Sequence, residues 1–331
     1  MWDTRLPEIR MAVDAVRTTA VLAREVHSAA LGQMTKGDLS PVTVADFAAQ
    51  AVVAHMLGQA FPQDALVAEE RSAALQTAEG APTLAEVLRF VRDIEPGATE
   101  EDVCAWIDRG AADPGERFWV LDPVDGTKGY LRGGHYAVAF ALIESGQVKL
   151  GVLGCPNLGL SCDPDGRGYG VLVVAQRGEG AWAMPLDGDA DAARLEVSDR
   201  GDPVEARVLR SFETGHTNTD QIESLVSLMG VRAAPVLMDS QAKYAVMAAG
   251  HGDVLFRLLS PKQPDYREKL WDQAAGSIVI EEAGGRISDL YGTPLDFSQG
   301  RRLEANRGVL ATNGRLHDAA LDALAQVLDG A

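Results

Sequence analysis

Several apolar segments of this chain end on acids. Phe118-Trp-Val-Leu121 is the run of a buried strand, and it passes without a break into Asp122-Pro-Val-Asp-Gly-Thr127. Asp64-Ala-Leu-Val-Ala68 is a short strand leading into Glu69-Glu70. Asp46 stands near the start of a helix opened by Ser40-Pro-Val-Thr43, and Asp272 follows Trp271 at the start of another. Each acid alone has an ordinary reading: a first-turn helix acid favoured by the dipole, a solvated loop, or a turn built from Asp, Pro and Gly. A turn, however, needs neither two carboxylates with a hydroxyl nor an apolar strand directly upstream. Any fold that joins these segment ends gathers carboxylates that cannot converge without countercharge. Hard oxygen ligands, with no His or Cys cluster beside them, select Mg²⁺ or Mn²⁺ rather than zinc. The Val124 carbonyl can supply another oxygen, and the Gly126 and Thr127 amides face an anion if a helix or nest begins there. Carboxylates with amide donors make a metal–phosphate site suited to two-metal phosphoryl hydrolysis.

The remaining pattern sets the organisation. Residues 9–31 and 44–59 read as helices, and 136–143, 147–154 and 170–176 as strands separated by turns such as Glu144-Ser-Gly146. Residues 71–116 are polar, with helices expected over 83–92 and 99–109, and a full capping box at Thr83 and Glu86. Pro96-Gly97 separates them, which makes an inserted helical hairpin. The small acidic stretch around Asp187–Ala192 is the expected boundary, giving an N-terminal α+β metal-binding domain over 1–187 and a C-terminal α/β substrate-binding domain over 188–331. The second part alternates strands (208–211, 234–238) with helices (220–229, 241–249, 271–283).

Thirty Lys and Arg stand against 48 Asp and Glu, a formal charge of −18. That argues against nucleic acid or an anionic membrane as partner, both of which require a basic surface, but leaves room for a small anion in a local pocket. Cys104, Cys155 and Cys162 have no metal spacing and no even disulfide framework, which fits a reducing cytoplasm. Charges interrupt the first 30 residues, so they read as an amphipathic helix rather than a signal peptide, and no apolar stretch is long enough to span a membrane.

The order Asp46, Glu69-Glu70, Asp122-Pro-Val-Asp-Gly-Thr127, Trp271-Asp-Gln-Ala-Ala-Gly276 resembles the lithium-sensitive, magnesium-dependent phosphatases of the inositol monophosphatase superfamily. The resemblance runs from Lys36 to about Asn313. It implies the layered α-β-α-β-α sandwich of the inositol monophosphatase and fructose bisphosphatase type, in the α+β or α/β class. It also implies Glu69, Asp122, the Val124 carbonyl, Asp125 and Asp272 as ligands of two or three Mg²⁺. Asp46 and Thr127 would orient and deprotonate the attacking water, and Li⁺ would inhibit. Two departures are small: Val124 replaces a commoner Ile, and Ala68 stands where Gly often precedes the Glu pair.

Within the superfamily, Ser40-Pro-Val-Thr-Val-Ala-Asp46, Thr127-Lys-Gly-Tyr-Leu-Arg132, Asp239-Ser-Gln-Ala-Lys-Tyr244 and Glu268-Lys-Leu-Trp-Asp272 look most like the 3′(2′),5′-bisphosphate nucleotidases. The long gap between Glu69 and Asp122 suits that branch too. Independently, residues 240–269 carry five bases and three acids, a local excess of positive charge in an acidic chain. A bisphosphate needs one phosphate on metals and a second on cationic or hydroxyl donors, for which Ser240, Lys243 and Arg257 are the candidates. The resemblance adds His216, with Gly126 and Thr127, as nucleotide contacts. The expected reaction is hydrolysis of the 3′-phosphate of adenosine 3′,5′-bisphosphate to AMP, extending to 3′-phosphoadenosine 5′-phosphosulfate, in a monomer. An inositol phosphate phosphatase with the same metals is the nearest rival. A non-catalytic magnesium or phosphate sensor is the rival from another class, and it would have no use for Asp46 with Thr127.

Overall fold

The computed structural model describes residues 6–32, 40–166, 168–188, 191–212 and 219–329. The long opening pattern forms α1 (Pro7–Gly32). Pro41, whose ring fixes a helical φ, starts α2 (Pro41–Ala60), slightly earlier than the pattern from Val44 suggests. The insertion forms the hairpin of α3 (Ala81–Arg92) and α4 (Glu100–Arg109). Ala81 and Pro82 already occupy the first turn of α3, which leaves Thr83 inside the helix. The capping box falls instead on Thr99 and Asp102 of α4. Leu84, Val87, Leu88 and Val91 of α3 and Val103 and Ile107 of α4 are buried against α2. Helix α2 is therefore apolar nearly all round: α1 covers one side and the hairpin another. The hairpin is part of the wall of the fold.

A seven-stranded sheet follows chain order: β1 (Ala65–Ala68), β2 (Arg117–Asp125), β3 (Ala137–Glu144), β4 (Gln147–Cys155), β5 (Val171–Gln176), β6 (Gly180–Pro185) and β7 (Ala193–Leu195). Strands β1 and β2 are parallel, as the helical crossover between them requires; the other pairs are antiparallel. Side chains alternate along the strands. Leu66, Trp119, Leu121, Phe140 and Val152 pack on α1 and α2, while Val67, Phe118, Val120, Ala139 and Val173 face the other way.

Covering that second face are α7 (Ala242–Ala248) and α8 (Ala274–Glu282). Beyond them lies a five-stranded sheet made of β8 (Val208–Arg210), β9 (Val236–Leu237), β10 (Val254–Arg257), β11 (Arg286–Ser288) and β12 (Val309–Thr312), in the order β11-β12-β10-β8-β9. Its outer face packs on α6 (Thr219–Leu228) and α9 (His317–Asp329) through Val254, Phe256, Leu310, Leu225, Ala320 and Leu324. The short α5 (Thr127–Leu131) closes the edge after β2. Helices, sheet, helices, sheet, helices: the layers are those of the expected sandwich. The first sheet takes in β7, beyond the division at 187–188, and helices from the second part complete its core.

Candidate active site

Strands β1 and β2 end side by side. Their register pairs Ala68 with Leu121, so the next step sets Glu69 beside Asp122. On its other side β2 breaks register with β3: Asp122 lies opposite Ala139 and Asp125 opposite Ala137. Three steps along β2 match two along β3, which is a bulge of one extra residue. In an unbroken strand, residues three apart face opposite sides. The extra residue restores parity and aims both carboxylates at the face covered by α7 and α8. Val124 goes the other way and is buried among side chains of α2 and α5, so only its backbone is left to the site. Gly126 follows with φ +90°, and a Cβ there would stand 2.7 Å from Ser240 Cβ; only glycine fits this approach.

Loops before α7 and α8 meet these strand ends. The Gln241 backbone N–H donates to Asp125 Oδ2 at 2.5 Å. Its side-chain amide donates to the Trp271 carbonyl at 2.9 Å and accepts from the Gly276 N–H at 3.1 Å. One buried glutamine thus pins Asp125 to both loops. Residues 271–273 form a turn and α8 begins only at Ala274, so Asp272 precedes the helix instead of lying in it. Arg257 pairs with Glu268 at 2.7 Å and reaches Asp272 at 3.9 Å, and Tyr266 donates to Asp272 at 3.4 Å. From α2, Gln50 accepts from the Glu70 N–H at 2.9 Å and donates to the Glu70 and Ile107 carbonyls. That clamp holds the glutamates beside Asp46, one turn away on the same helix.

Burial raises Asp46, Glu69, Asp122, Asp125 and Asp272, and repulsion from neighbouring acids adds to it for Asp46, Glu69, Asp122 and Asp272. Asp46 is pushed well above the usual range by burial, then by Glu70 and Glu69. Burial lifts Glu69 to about 7, with Glu70 and Asp125 adding and Lys269 opposing. Asp122 is driven up by burial and by Asp125, Glu69, Asp272 and Asp46. Asp125 rises less, because Lys243 and Arg257 oppose its burial. Asp272 is lifted to about 8 by burial, against the pull of Arg257. Five acids from four segments therefore share one field.

The donor set is carboxylate oxygen throughout, and Asp122 Oδ1 is buried without any hydrogen-bond partner. An orphaned, desolvated carboxylate oxygen among other acids fits a hard divalent cation. No three His, Cys, Asp or Glu side chains among the described residues are drawn in closely enough to share one ion as they stand. The acids are gathered but not closed into a coordination shell.

The described members of the expected substrate contacts lie around this group. Lys243 is buried beneath it, with Nζ 3.3 Å from Ser211 Oγ and 3.4 Å from the Met238 carbonyl; burial lowers it to about 8 against the opposing pull of Asp125. Ser240, at φ +67°, accepts from the Ala242 N–H at 3.1 Å. Thr127 is exposed at the start of α5, and among the described residues no hydrogen bond joins it to Asp46. His216 lies outside the described residues. The sequence reading assigns no role to Gln50, Gln241 or Glu268. Gln50 had a signal, a single amide inside the apolar run Ala48-Ala-Gln-Ala-Val-Val53. Gln241 and Glu268 act through contacts distant in sequence.

Comparison with known proteins covers nearly the whole chain. The sequence profile of the inositol monophosphatase family matches residues 5–329. A 3′(2′),5′-bisphosphate nucleotidase of Emericella nidulans is 40% identical over 342 residues, covering 95% of this chain and 96% of that protein. Those of Schizosaccharomyces pombe (37%; 97% and 95% covered) and Arabidopsis thaliana (39%; 96% and 95%) are similarly related. Among solved structures, an inositol monophosphatase from Thermotoga maritima superposes with a TM-score of 0.63 at 20% identity, covering 98% of each chain. One from Anabaena gives 0.61 at 22% identity, covering 96% of this chain and 94% of that one. At such identities the structural likeness speaks for the fold.

Proposed function

The chain belongs to the inositol monophosphatase family, and from that premise we infer that it is a 3′(2′),5′-bisphosphate nucleotidase. It takes water and adenosine 3′,5′-bisphosphate to AMP and inorganic phosphate. The observation that carries this reading is the orphaned Asp122 Oδ1 at the centre of the gathered acids, beside a bulge that aims two aspartates one way. Full-length relatives of that name supply the substrate class.

Glu69, Asp122, the Val124 carbonyl, Asp125 and Asp272 would hold Mg²⁺, or Mn²⁺ in its place, in two or three positions. Bound there, the metal neutralises phosphoryl oxygens and makes water a better nucleophile. Asp46, lifted by burial, accepts the proton of the attacking water, with Thr127 orienting that water from the start of α5. Gly126 lets the chain approach Ser240 and leaves its own amide and that of Thr127 facing the phosphate. Ser240, Lys243, Arg257 and His216 receive the second phosphate and the nucleoside. Lys243 and Arg257 already serve Asp125, Asp272 and Glu268, so their charges reach both the metal ligands and the substrate. The part over 1–187 supplies most of the metal ligands, and the part over 188–331 supplies Asp272 and the substrate contacts. The same pocket accepts 3′-phosphoadenosine 5′-phosphosulfate.

The proposed acting unit is a monomer. The described cysteines Cys104, Cys155 and Cys162 are free, which suits the cytoplasm. No helix of the described residues is long and apolar enough to cross a membrane. Phosphate release across adenosine 3′,5′-bisphosphate, its sulfated analogue, inositol 1-phosphate and inositol 1,4-bisphosphate tests the reading. Preference for the nucleotides supports it, whereas turnover of inositol phosphates alone would assign the site to them.

A further inference from the structure

Beside Ser240 and Lys243 lies a surface that none of the groups above uses. Phe212, 54% exposed, follows Ser211, whose hydroxyl receives Lys243 Nζ at 3.3 Å. The guanidinium of Arg132 lies 5.5 Å from the ring centroid. Arg132 caps α5, which starts at Thr127, and it forms an ion pair with Asp239, the residue before Ser240. The Asp239 side chain is only 10% exposed, while that of Arg132 is 43% exposed. A buried carboxylate therefore fixes a half-exposed, flat cation against a half-exposed aromatic ring. Both are tied to the loops that carry the candidate phosphate contacts.

A single exposed aromatic is ordinary on a protein surface. An aromatic paired with a guanidinium held in place by a carboxylate is a different object, a preorganised planar platform. Flat faces of this kind bind nucleobases by stacking, with little dependence on which base is present, because every base has a π-face. Guanidinium contributes through cation–π and planar stacking as well.

We propose that Phe212, positioned by Arg132 and Asp239, is the stacking platform for the nucleobase of the substrate. The proposal rests on the bisphosphate nucleotidase reading. It adds that the enzyme selects nucleotides over base-free phosphates through this surface, and that the selection is for a base in general rather than for adenine in particular.

The test compares adenosine 3′,5′-bisphosphate with the base-free methyl riboside 3,5-bisphosphate, using the wild type, Phe212→Ala and Phe212→Trp. Stacking on one aromatic contributes about 1–3 kcal/mol, so Phe212→Ala should raise KM for the nucleotide about 5- to 150-fold with kcat nearly unchanged. It should leave kinetics on the base-free substrate as they are, and Phe212→Trp should restore the nucleotide KM. Equal effects of Phe212→Ala on both substrates, or no effect on either, would overturn the proposal while the nucleotidase reading stands. Absence of wild-type turnover on the nucleotide would instead remove the reading beneath it. Because Phe212 is half-exposed, the variant should keep its thermal midpoint, which circular dichroism checks.

Discussion

Asp46 sits one helical turn from the glutamine that clamps Glu70, and burial together with Glu70 and Glu69 pushes it well above the usual carboxylate range, ready to take a proton. Asp46→Asn keeps the shape of the side chain and removes the base. Stability should be retained or slightly improved, since a strained buried acid is lost, while kcat falls about 10²-fold or more. Turnover within a few-fold of wild type, measured by phosphate release, would remove Asp46 from its role. His317 has no part in the chemistry but does carry a pH signature. It is fully buried, with Nδ1 3.0 Å from Thr312 Oγ1 and Nε2 3.0 Å from Ser288 Oγ. The Gly314 N–H donates to Thr312 Oγ1, and Ser288 Oγ donates to the Asp289 carbonyl. Nε2–H therefore donates to Ser288, which leaves the Thr312 hydroxyl placed to donate to Nδ1 of a neutral ring. Burial holds it down at about 4. As pH falls from about 6.5 to 4 the unfolded chain takes up a proton that the fold refuses, so His317 loses stability for the protein across that window, by about 1–3 kcal/mol. The active-site acids, raised in the fold, shift the other way, so the measurement is a difference. The stability cost of His317→Gln in denaturant titrations should shrink as pH falls through the window, and a cost independent of pH would contradict the account.

At the scale of elements, the site depends on close approaches more than on helices or strands as such. Helix α8 can reach α7 only because Gly276 has no side chain: a Cβ there would lie 2.0 Å from the Tyr244 ring. Tyr244 cannot swing aside, since it is buried and its hydroxyl donates to Gln273 at 2.5 Å. In an exposed helix Gly→Ala would stabilise by about 1 kcal/mol. Here Gly276→Ala should destabilise by about 1–3 kcal/mol through overpacking, seen as a lower denaturant midpoint, and a stabilised variant would show that the contact yields. The same contacts mark what the sequence could not reveal. Segments and their acidic ends were legible, because long apolar runs and Pro, Gly and Asp turns leave local signals. The bulge between Asp122 and Asp125 was not, because it is a mismatch with β3 and exists only in the pairing. Strands β10 to β12, of three or four residues, are too short for a period, and the capping box moved from Thr83 to Thr99 because Pro82 had already set the first turn.

For the whole molecule, the charge of −18 and an anionic substrate are compatible because the acids are not evenly used. Those from α2, the ends of β1 and β2, and the turn before α8 converge on one edge, where bound divalent cations would reverse the local sign. Lys243, Arg257 and Lys269 bring positive charge to the same edge. The two sheets share the core around α7 and α8, so the proposed metal-binding and substrate-binding sides of the site meet through one packed layer. The central claim is that this edge is a divalent-metal phosphomonoesterase acting at the 3′ position. Phosphorus NMR of adenosine 3′,5′-bisphosphate incubated with the protein tests it most directly, in Mg²⁺, after EDTA, after Mg²⁺ is returned, and with Li⁺ added. The account predicts loss of the 3′-phosphate resonance with the 5′-phosphate retained, no loss in EDTA, recovery on adding Mg²⁺, and inhibition by Li⁺. Retention of the 3′-phosphate in Mg²⁺, or its equal loss in EDTA, would contradict it.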